Sequence, residues 1–186
     1  MKTFKFPILL FSLALGMACQ KQETSLTDKE RKEIVDSTSY IIQAILHAQM
    51  KDPKLSPSTV SFLKHYFSNT PDVRHIHHGN MYTSVDSMFI PTESSTAFSE
   101  TIEYIEFKPT SYDAVILSKD AVSITVPNQW KMKVKGRPEY TGKEVLSFIF
   151  QRRNGRWLII QSHISDPDIC AAMAALMPLP GDQGLN

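Results

Sequence analysis

In Ser147-Phe-Ile-Phe-Gln-Arg-Arg-Asn-Gly-Arg-Trp-Leu-Ile-Ile-Gln-Ser-His-Ile-Ser165, two runs rich in β-branched and aromatic residues flank Asn154-Gly155. An Asn-Gly pair between such runs is the strongest short-range sign of a two-residue hairpin, because both turn residues must take positive φ. Counting outward from that turn, Arg152 opposes Trp157, Phe150 opposes Ile159, Phe148 opposes Gln161 and Leu146 opposes His163. Directly opposed residues share a face. One face should therefore carry Trp157, Phe150, Ile159, Phe148 and Leu146, with Gln161 and His163 set among them. The other should carry Leu158, Ile149, Ile160, Val145 and Ile164, with Gln151, Ser147 and Ser162. Both faces are too apolar to lie bare in water. One should meet the domain's helices, and the other a partner or a further layer.

Upstream of the hairpin, Tyr112 to Ser118, Ala121 to Val126 and Trp130 to Val134 also read as strands, with a turn at Lys119-Asp120. Lys131, Lys133 and Lys135 alternate with Met132 and Val134, so that strand has one wet face. The N-terminal half reads differently. Thr27-Asp-Lys-Glu30 fits a capping box that opens a helix with Ile34, Thr38, Ile41, Ile42 and Ile45 at helical spacing, ending near Asp52-Pro53. Ser56-Pro57 opens a second, shorter helix. A small hairpin is expected within Asp72 to Asp86, turning at Gly79-Asn80, and a third helix over roughly Thr96 to Phe107. Helices first and a long antiparallel meander afterwards predict an α+β domain with its helices on one side of the sheet.

The chain begins Met1-Lys-Thr-Phe-Lys5, runs apolar from Phe6 to Ala18 and reaches Cys19. A basic start, a short apolar stretch and small residues before a Cys describe a secretory signal, too short to span a membrane comfortably. The position of Cys19 resembles a bacterial lipoprotein signal, in which that Cys is lipidated. Gly16 departs from the pattern, standing where Leu is usual. The alternative is an ordinary cleaved signal with an incidental Cys. Gln20 after the Cys resembles lipoproteins sent to the outer membrane of the cell envelope. On this reading residues 1–18 are the signal peptide, 19–26 the lipidated Cys and a polar tether, 27–166 the folded domain, and 167–186 a tail. The tail holds an Ala/Met-rich segment, Ile169 to Met177, that reads as a short helix. Lipidation of Cys19 would leave Cys170 the sole thiol and no intramolecular disulfide. The net charge of +1, with signs interleaved, gives no reason to expect a nucleic-acid partner, and the membrane is met through the anchor only.

The segment Phe148 to Ser165, with Asn-Gly-Arg-Trp at its turn and Ser-His-Ile-Ser at its end, resembles the closing hairpin of SnoaL-like proteins in the nuclear transport factor 2-like superfamily. The long first helix ending at Lys51-Asp52 and the second helix followed by a hairpin fit the same pattern over roughly residues 27 to 166. The resemblance implies a cone, a strongly curved antiparallel sheet wrapped round a pocket closed by about three helices. It also implies a homodimer through the outer sheet face. The superfamily holds isomerases, dehydratases and hydrolases of small apolar molecules, and many domains without known chemistry.

Within that cone the expected pocket residues are Phe148, Phe150, Trp157, Ile159, Gln161 and His163. A Gln and a His amid apolar groups are costly to bury unless paired, and apolar walls with a few converging polar groups are the usual form of a small-molecule site. Tying down helix ends is the alternative role for both. His77 and His163 are the candidate catalytic residues. His75 and His77 share a strand face and, with His163, would give three nitrogens for a metal. No Cys or carboxylate stands beside them at ligand spacing, so neither metal nor cofactor is expected.

The resemblance to ketosteroid isomerases in the same superfamily places their catalytic Asp near His77, which could serve as a general base. Their oxyanion-binding Tyr and protonated Asp fall near Ala44 and near Ser147 or Phe148, so the electrophile is missing. Tyr40 shares a stripe with Gln43 and His47 opposite the apolar face of the first helix, which points it at solvent. Oxyanion stabilisation is usually the largest catalytic contribution. The expected function is therefore binding of a small apolar molecule or an envelope protein, without catalysis. An enzyme using a pocket His as acid or base, and a structural dimer module, are the alternatives.

Overall fold

Thr27 begins the first helix as its sequence requires. Its hydroxyl accepts from the Glu30 N–H at 3.2 Å, and the Glu30 carboxylate accepts from the Thr27 N–H at 2.8 Å. Helix α1 runs Asp28–Lys51 and buries Ile34, Thr38, Ile41, Ile42, Ile45 and Leu46, while Tyr40 stays 67% exposed. The computed structural model describes residues 25–77, 80–90 and 99–167. The signal, Cys19, most of the tether, Cys170 and the expected tail helix lie outside the described residues. No helix among the described residues is long and apolar enough to cross a membrane.

Ser56 and Pro57 open α2, Pro57–Lys64. The Asp52 carboxylate between the helices accepts from the Ser56 N–H at 2.8 Å and the Thr59 hydroxyl at 2.6 Å. Bonds from Ser56 and Thr59 hold that carboxyl below its usual range. Strands β1 (Arg74–His77) and β2 (Asn80–Tyr82) form the expected small hairpin. His77 pairs with Asn80, so Asn80 belongs to β2 rather than to the turn, and residues 78–79 lie outside the described part. A four-residue α3, Val85–Met88, follows.

The third helix expected over Thr96 to Phe107 is corrected. Residues 91–98 lie outside the described part, 99–101 are helical, and β3 runs Ile102–Pro109. A bulge between Ile102 and Tyr104 explains the error: it spaces the inward residues Ile102, Ile105 and Phe107 by three and then two, which imitates a helical period. Strand β4 is Asp113–Ser118, and β5, Ala121–Val134, joins the two strands expected on either side of Pro127. Pro127 sits where the edge partner of β5 changes from β4 to β3. Its carbonyl accepts from the Thr110 N–H at 2.9 Å, and a residue without an N–H suits such a junction. Strands β6 (Glu139–Arg153) and β7 (Arg156–Ser165) meet at Asn154 and Gly155, with φ of 51° and 77°, which is the expected turn.

The seven strands among the described residues form one sheet in the order β2-β1-β7-β6-β5-β3, with β4 also on β5. It is not wholly antiparallel: β1 runs parallel to β7. Helices α1 and α2 close the inner face over Val122, Ile124, Val126, Leu146, Phe148, Phe150 and Ile159. The result is the α+β cone expected from the sequence. At the hairpin end, Arg153 donates to Ser68 Oγ at 2.9 Å and pairs with Asp72 at 2.7 Å, which ties the turn to the α2–β1 connection.

The hairpin register departs from simple counting after four pairs. Arg152 opposes Trp157 and Phe150 opposes Ile159, but Ile149 then opposes Gln161, leaving Ile160 as a bulge. One extra residue exchanges the faces of everything beyond it. Phe148 meets Ser162 and Leu146 meets Ile164, so Ser162 and Ile164 turn inward while Gln161 and His163 become exposed. The far edge of β7 accounts for the position of the bulge. Ile159 exchanges backbone bonds with Tyr66 and Ser68, whereas Gln161 onward pairs with β1. Ile160 lies between the two partners.

Candidate functional site

The turn end of the cone is solid, with Phe150, Ile159, Val122 and Ile124 at 0% exposure. Toward the other end the inner face opens into a cavity of 280 Å³. Ile45 and Leu46 of α1, Phe89 after α3, Phe107 of β3, Trp130 and Met132 of β5, Leu146 and Phe148 of β6, and Ile164 of β7 form its apolar wall. Leu55 also lines it, held in the left-handed region at φ 53° between α1 and α2. Such a conformation is strained for a side chain of this size.

Among the described residues, four polar groups reach this wall: Gln49, His77, Glu144 and Asp166. Glu144 continues the inward parity of Leu146, Phe148 and Phe150, and is itself buried. Across the strand pair, Asn128 donates through Nδ2 to Glu144 Oε1 at 2.6 Å. Burial raises the Glu144 carboxyl to about 7, the Asn128 bond opposes that rise, and the charge of Asp166 adds to it. The carboxyl therefore exchanges its proton close to neutrality. Among the described residues, the buried Asn128 Oδ1 and Trp130 Nε1 meet no hydrogen-bond partner. The Trp130 ring lies against Gly142, where an added Cβ would fall 2.4 Å from Cζ2, so only glycine fits beneath it.

His77 is placed by its neighbours on β1 and β7. Ser162 is fully buried, with its hydroxyl 3.0 Å from His75 Nδ1 and 3.2 Å from His77 Nε2. Burial lowers His75 to about 4, so this ring stays neutral, packed edge-on against Phe67. One hydroxyl has a single proton to donate, so the two rings cannot both accept it. At most one imidazole accepts from the hydroxyl, and a ring that does not accept donates to its oxygen.

Of the expected site residues, the structure brings His77 and Phe148 to the cavity. Phe150 and Ile159 are filled core rather than pocket wall, and Trp157 packs beside them under the Arg152 guanidinium, 4.6 Å from the ring. Gln161 and His163 are corrected to the outer surface because of the Ile160 bulge. The three-histidine set is therefore divided: His75 and His77 face inward and His163 faces out. No cluster of metal-ligating side chains occurs among the described residues. Glu144, Asn128, Asp166 and Ser162 were missed. Extending the hairpin parity two residues back from Leu146 would have found Glu144, but Ser162 requires the bulge. A larger, open groove of 940 Å³ runs along the outer side of α1 past Tyr40, Phe62 and Tyr112. Asp52, which lines it, is occupied in joining α1 to α2.

Several solved structures share this architecture. A protein assigned as a scytalone dehydratase from Novosphingobium aromaticivorans superimposes with a TM-score of 0.61 at 8% identity, over 75% of this chain and 88% of that one. LinA gives 0.60 at 13% identity, over 76% and 90%. A nuclear transport factor 2-like superfamily protein from Salmonella enterica gives 0.55 at 15% identity, over 86% and 99%. No curated protein matches the chain significantly. At these identities the likeness is one of fold. The sequence of residues 55–169, more than half the chain, matches the SnoaL-like domain, and the chain belongs to that family.

Proposed function

We propose that this domain binds one small, mostly apolar molecule inside the cone, without turning it over, while a lipid on Cys19 holds it at the outer membrane of a bacterial envelope. The observation that carries the binding reading is the 280 Å³ cavity, with apolar and aromatic walls and one polar corner formed by Glu144, Asp166 and His77. Its volume is near the lower end for small-molecule sites, enough for a ring and a short chain. No Ser, Tyr, Lys or Arg is among the described residues of its wall, so a nucleophilic hydroxyl or amine from the wall has no support. Native mass spectrometry of the gently desolvated full chain tests binding, with a solvatochromic apolar dye as a second probe. A bound small molecule, or dye binding with one site per chain, is expected. A clean apo mass together with no dye binding would defeat the reading. Metabolic labelling with palmitate tests the anchor, and the label should vanish in Cys19→Ala.

A second reading is favoured by one observation, the Glu144 carboxyl raised to about 7. A group of that kind in a cavity can give or take a proton at physiological pH. With His77 as its counterpart, the same site would catalyse proton transfer on a small organic substrate. Turnover that disappears in both Glu144→Gln and His77→Gln would replace the binding reading with this one. A homodimer through the outer sheet face accompanies either reading. It is supported by the exposed Val115, Leu117 and Val145, at 63%, 54% and 41%, on that surface.

A further inference from the structure

Four buried side-chain atoms meet no hydrogen-bond partner among the described residues: Ser39 Oγ, His75 Nε2, Asn128 Oδ1 and Trp130 Nε1. A buried polar atom left unpaired costs stability, so neighbouring atoms of this kind call for an occupant. Ser39 on α1 and His75 on β1 stand on separate elements. Asn128 and Trp130 stand two apart on β5 and share its inner face, at 2% and 5% exposure. Their side chains reach β6 at neighbouring inward positions. Asn128 opposes Glu144 and gives its amide N–H to Glu144 Oε1 at 2.6 Å. Trp130 opposes Gly142, and its ring takes the space of the missing Cβ, with Nε1 2.9 Å from that point. Trp130 and Glu144 both line the 280 Å³ cavity. An unpaired acceptor and an unpaired donor thus occupy adjacent inward positions of β5 where it borders the apolar chamber.

The two atoms ask for opposite things. Asn128 Oδ1 only accepts, and Trp130 Nε1 only donates. A group that answers both must accept one hydrogen bond and donate another, which a hydroxyl does. A ketone oxygen leaves the Asn128 carbonyl unmet, and an ammonium leaves the indole N–H unmet. The demand is independent of the ionic state of Glu144, because Oε1 accepts from Asn128 Nδ2 in the acid and in the carboxylate alike.

On the binding reading above, we infer that the ligand is a compact alcohol or phenol whose hydroxyl accepts from Trp130 Nε1 and donates to Asn128 Oδ1. Its apolar body lies against Phe107, Met132, Leu146 and Phe148. Glu144 holds the Asn128 amide by its N–H, which leaves the carbonyl end of that amide for the ligand. Gly142 leaves room for the indole to take the place from which its N–H meets the hydroxyl.

The test compares benzyl alcohol, acetophenone and toluene on the full chain, by calorimetry and by the proton shift of the indole N–H. The chain has two tryptophans, so Trp130→Phe assigns the Trp130 signal by its loss, and Trp157→Phe assigns it by what remains. Benzyl alcohol should bind about tenfold tighter than toluene or acetophenone, because it alone satisfies both buried atoms. The Trp130 N–H signal should move downfield with benzyl alcohol and keep its free position with toluene. In Trp130→Phe the preference for the alcohol over toluene should fall severalfold. Toluene or acetophenone binding as tightly as benzyl alcohol, or an indole signal that the alcohol does not move, would overturn the hydroxyl and leave the pocket standing. Binding of none of the three, together with failure of the apolar dye, would overturn both readings.

Discussion

Two buried titratable groups pull the pH dependence of stability in opposite directions, and Glu144→Gln separates them. His75 falls from 6.5 to about 4 on folding. Between those values the unfolded chain holds a proton that the folded chain does not, so stability rises with pH. That contribution is complete above 6.5 and is lost as pH falls through 4. Glu144 rises from 4.5 to about 7, so here the folded chain holds the extra proton. Its contribution is complete below 4.5 and is lost as pH rises through 7. Each slope is about 1.4 kcal/mol per pH unit where only one state is protonated. Between 4.5 and 6.5 the slopes cancel, so these two groups leave the parent chain nearly flat there. Removing the acid unmasks the histidine. Over those two pH units the stability of Glu144→Gln relative to the parent should climb by about 3 kcal/mol. Urea unfolding at several pH values across that interval measures it, and the subtraction removes the exposed carboxylates common to both chains. Parallel curves for parent and variant would refute the reasoning, because they would mean that Glu144 titrates alike in both states.

Four further outcomes are expected. Ser162→Ala should destabilise by about 1–3 kcal/mol, since it leaves a buried imidazole nitrogen unpaired. Nitrogen-15 shifts should then report a changed tautomer population at His77, and an unchanged tautomer would show that Ser162 does not orient that ring. Gly142→Ala should lower stability by about 1–3 kcal/mol in urea unfolding, because its Cβ overlaps the Trp130 ring. Phe148→Ala should cost about 3–5 kcal/mol by the same measurement, and should admit a bulkier apolar dye to the cavity in a fluorescence titration. Ile160→Asp places a charge at the bulge on the outer face, and sedimentation should show a parent dimer reduced to monomer. A monomeric parent would remove the support for pairing through that face.

The histidines show how far the sequence could be read. That His75 and His77 share a face follows from strand alternation alone. That both turn inward depends on β1 pairing with β7, where Ser162 comes within reach of both rings. Gln161 and His163 were drawn into the expected pocket by a count that was sound for four pairs, as far as Ile159, and wrong from Ile160 on. His77 reached the cavity, while Glu144 lay one residue before Val145, where the expected hairpin strand began. The helix expected over Thr96 to Phe107 failed for the same reason as the hairpin faces: in each case one bulge changed the spacing of the inward residues.

Local chemistry alone determined the capping box at Thr27, the second helix at Ser56-Pro57, the Asn154-Gly155 turn, the wet face of Lys131 and Lys133, and through them the α+β cone. Each depends on residues a few positions apart, whose steric and hydrogen-bonding preferences act before any distant contact forms. The tertiary structure decided which side of the hairpin faces the cavity, that β1 joins β7 in parallel, and that Glu144, Asp166 and His77 converge. Those outcomes rest on edge pairing between segments far apart in the chain. A single unpaired residue at Ile160 reverses every later side chain, because the side-chain period of a strand is two.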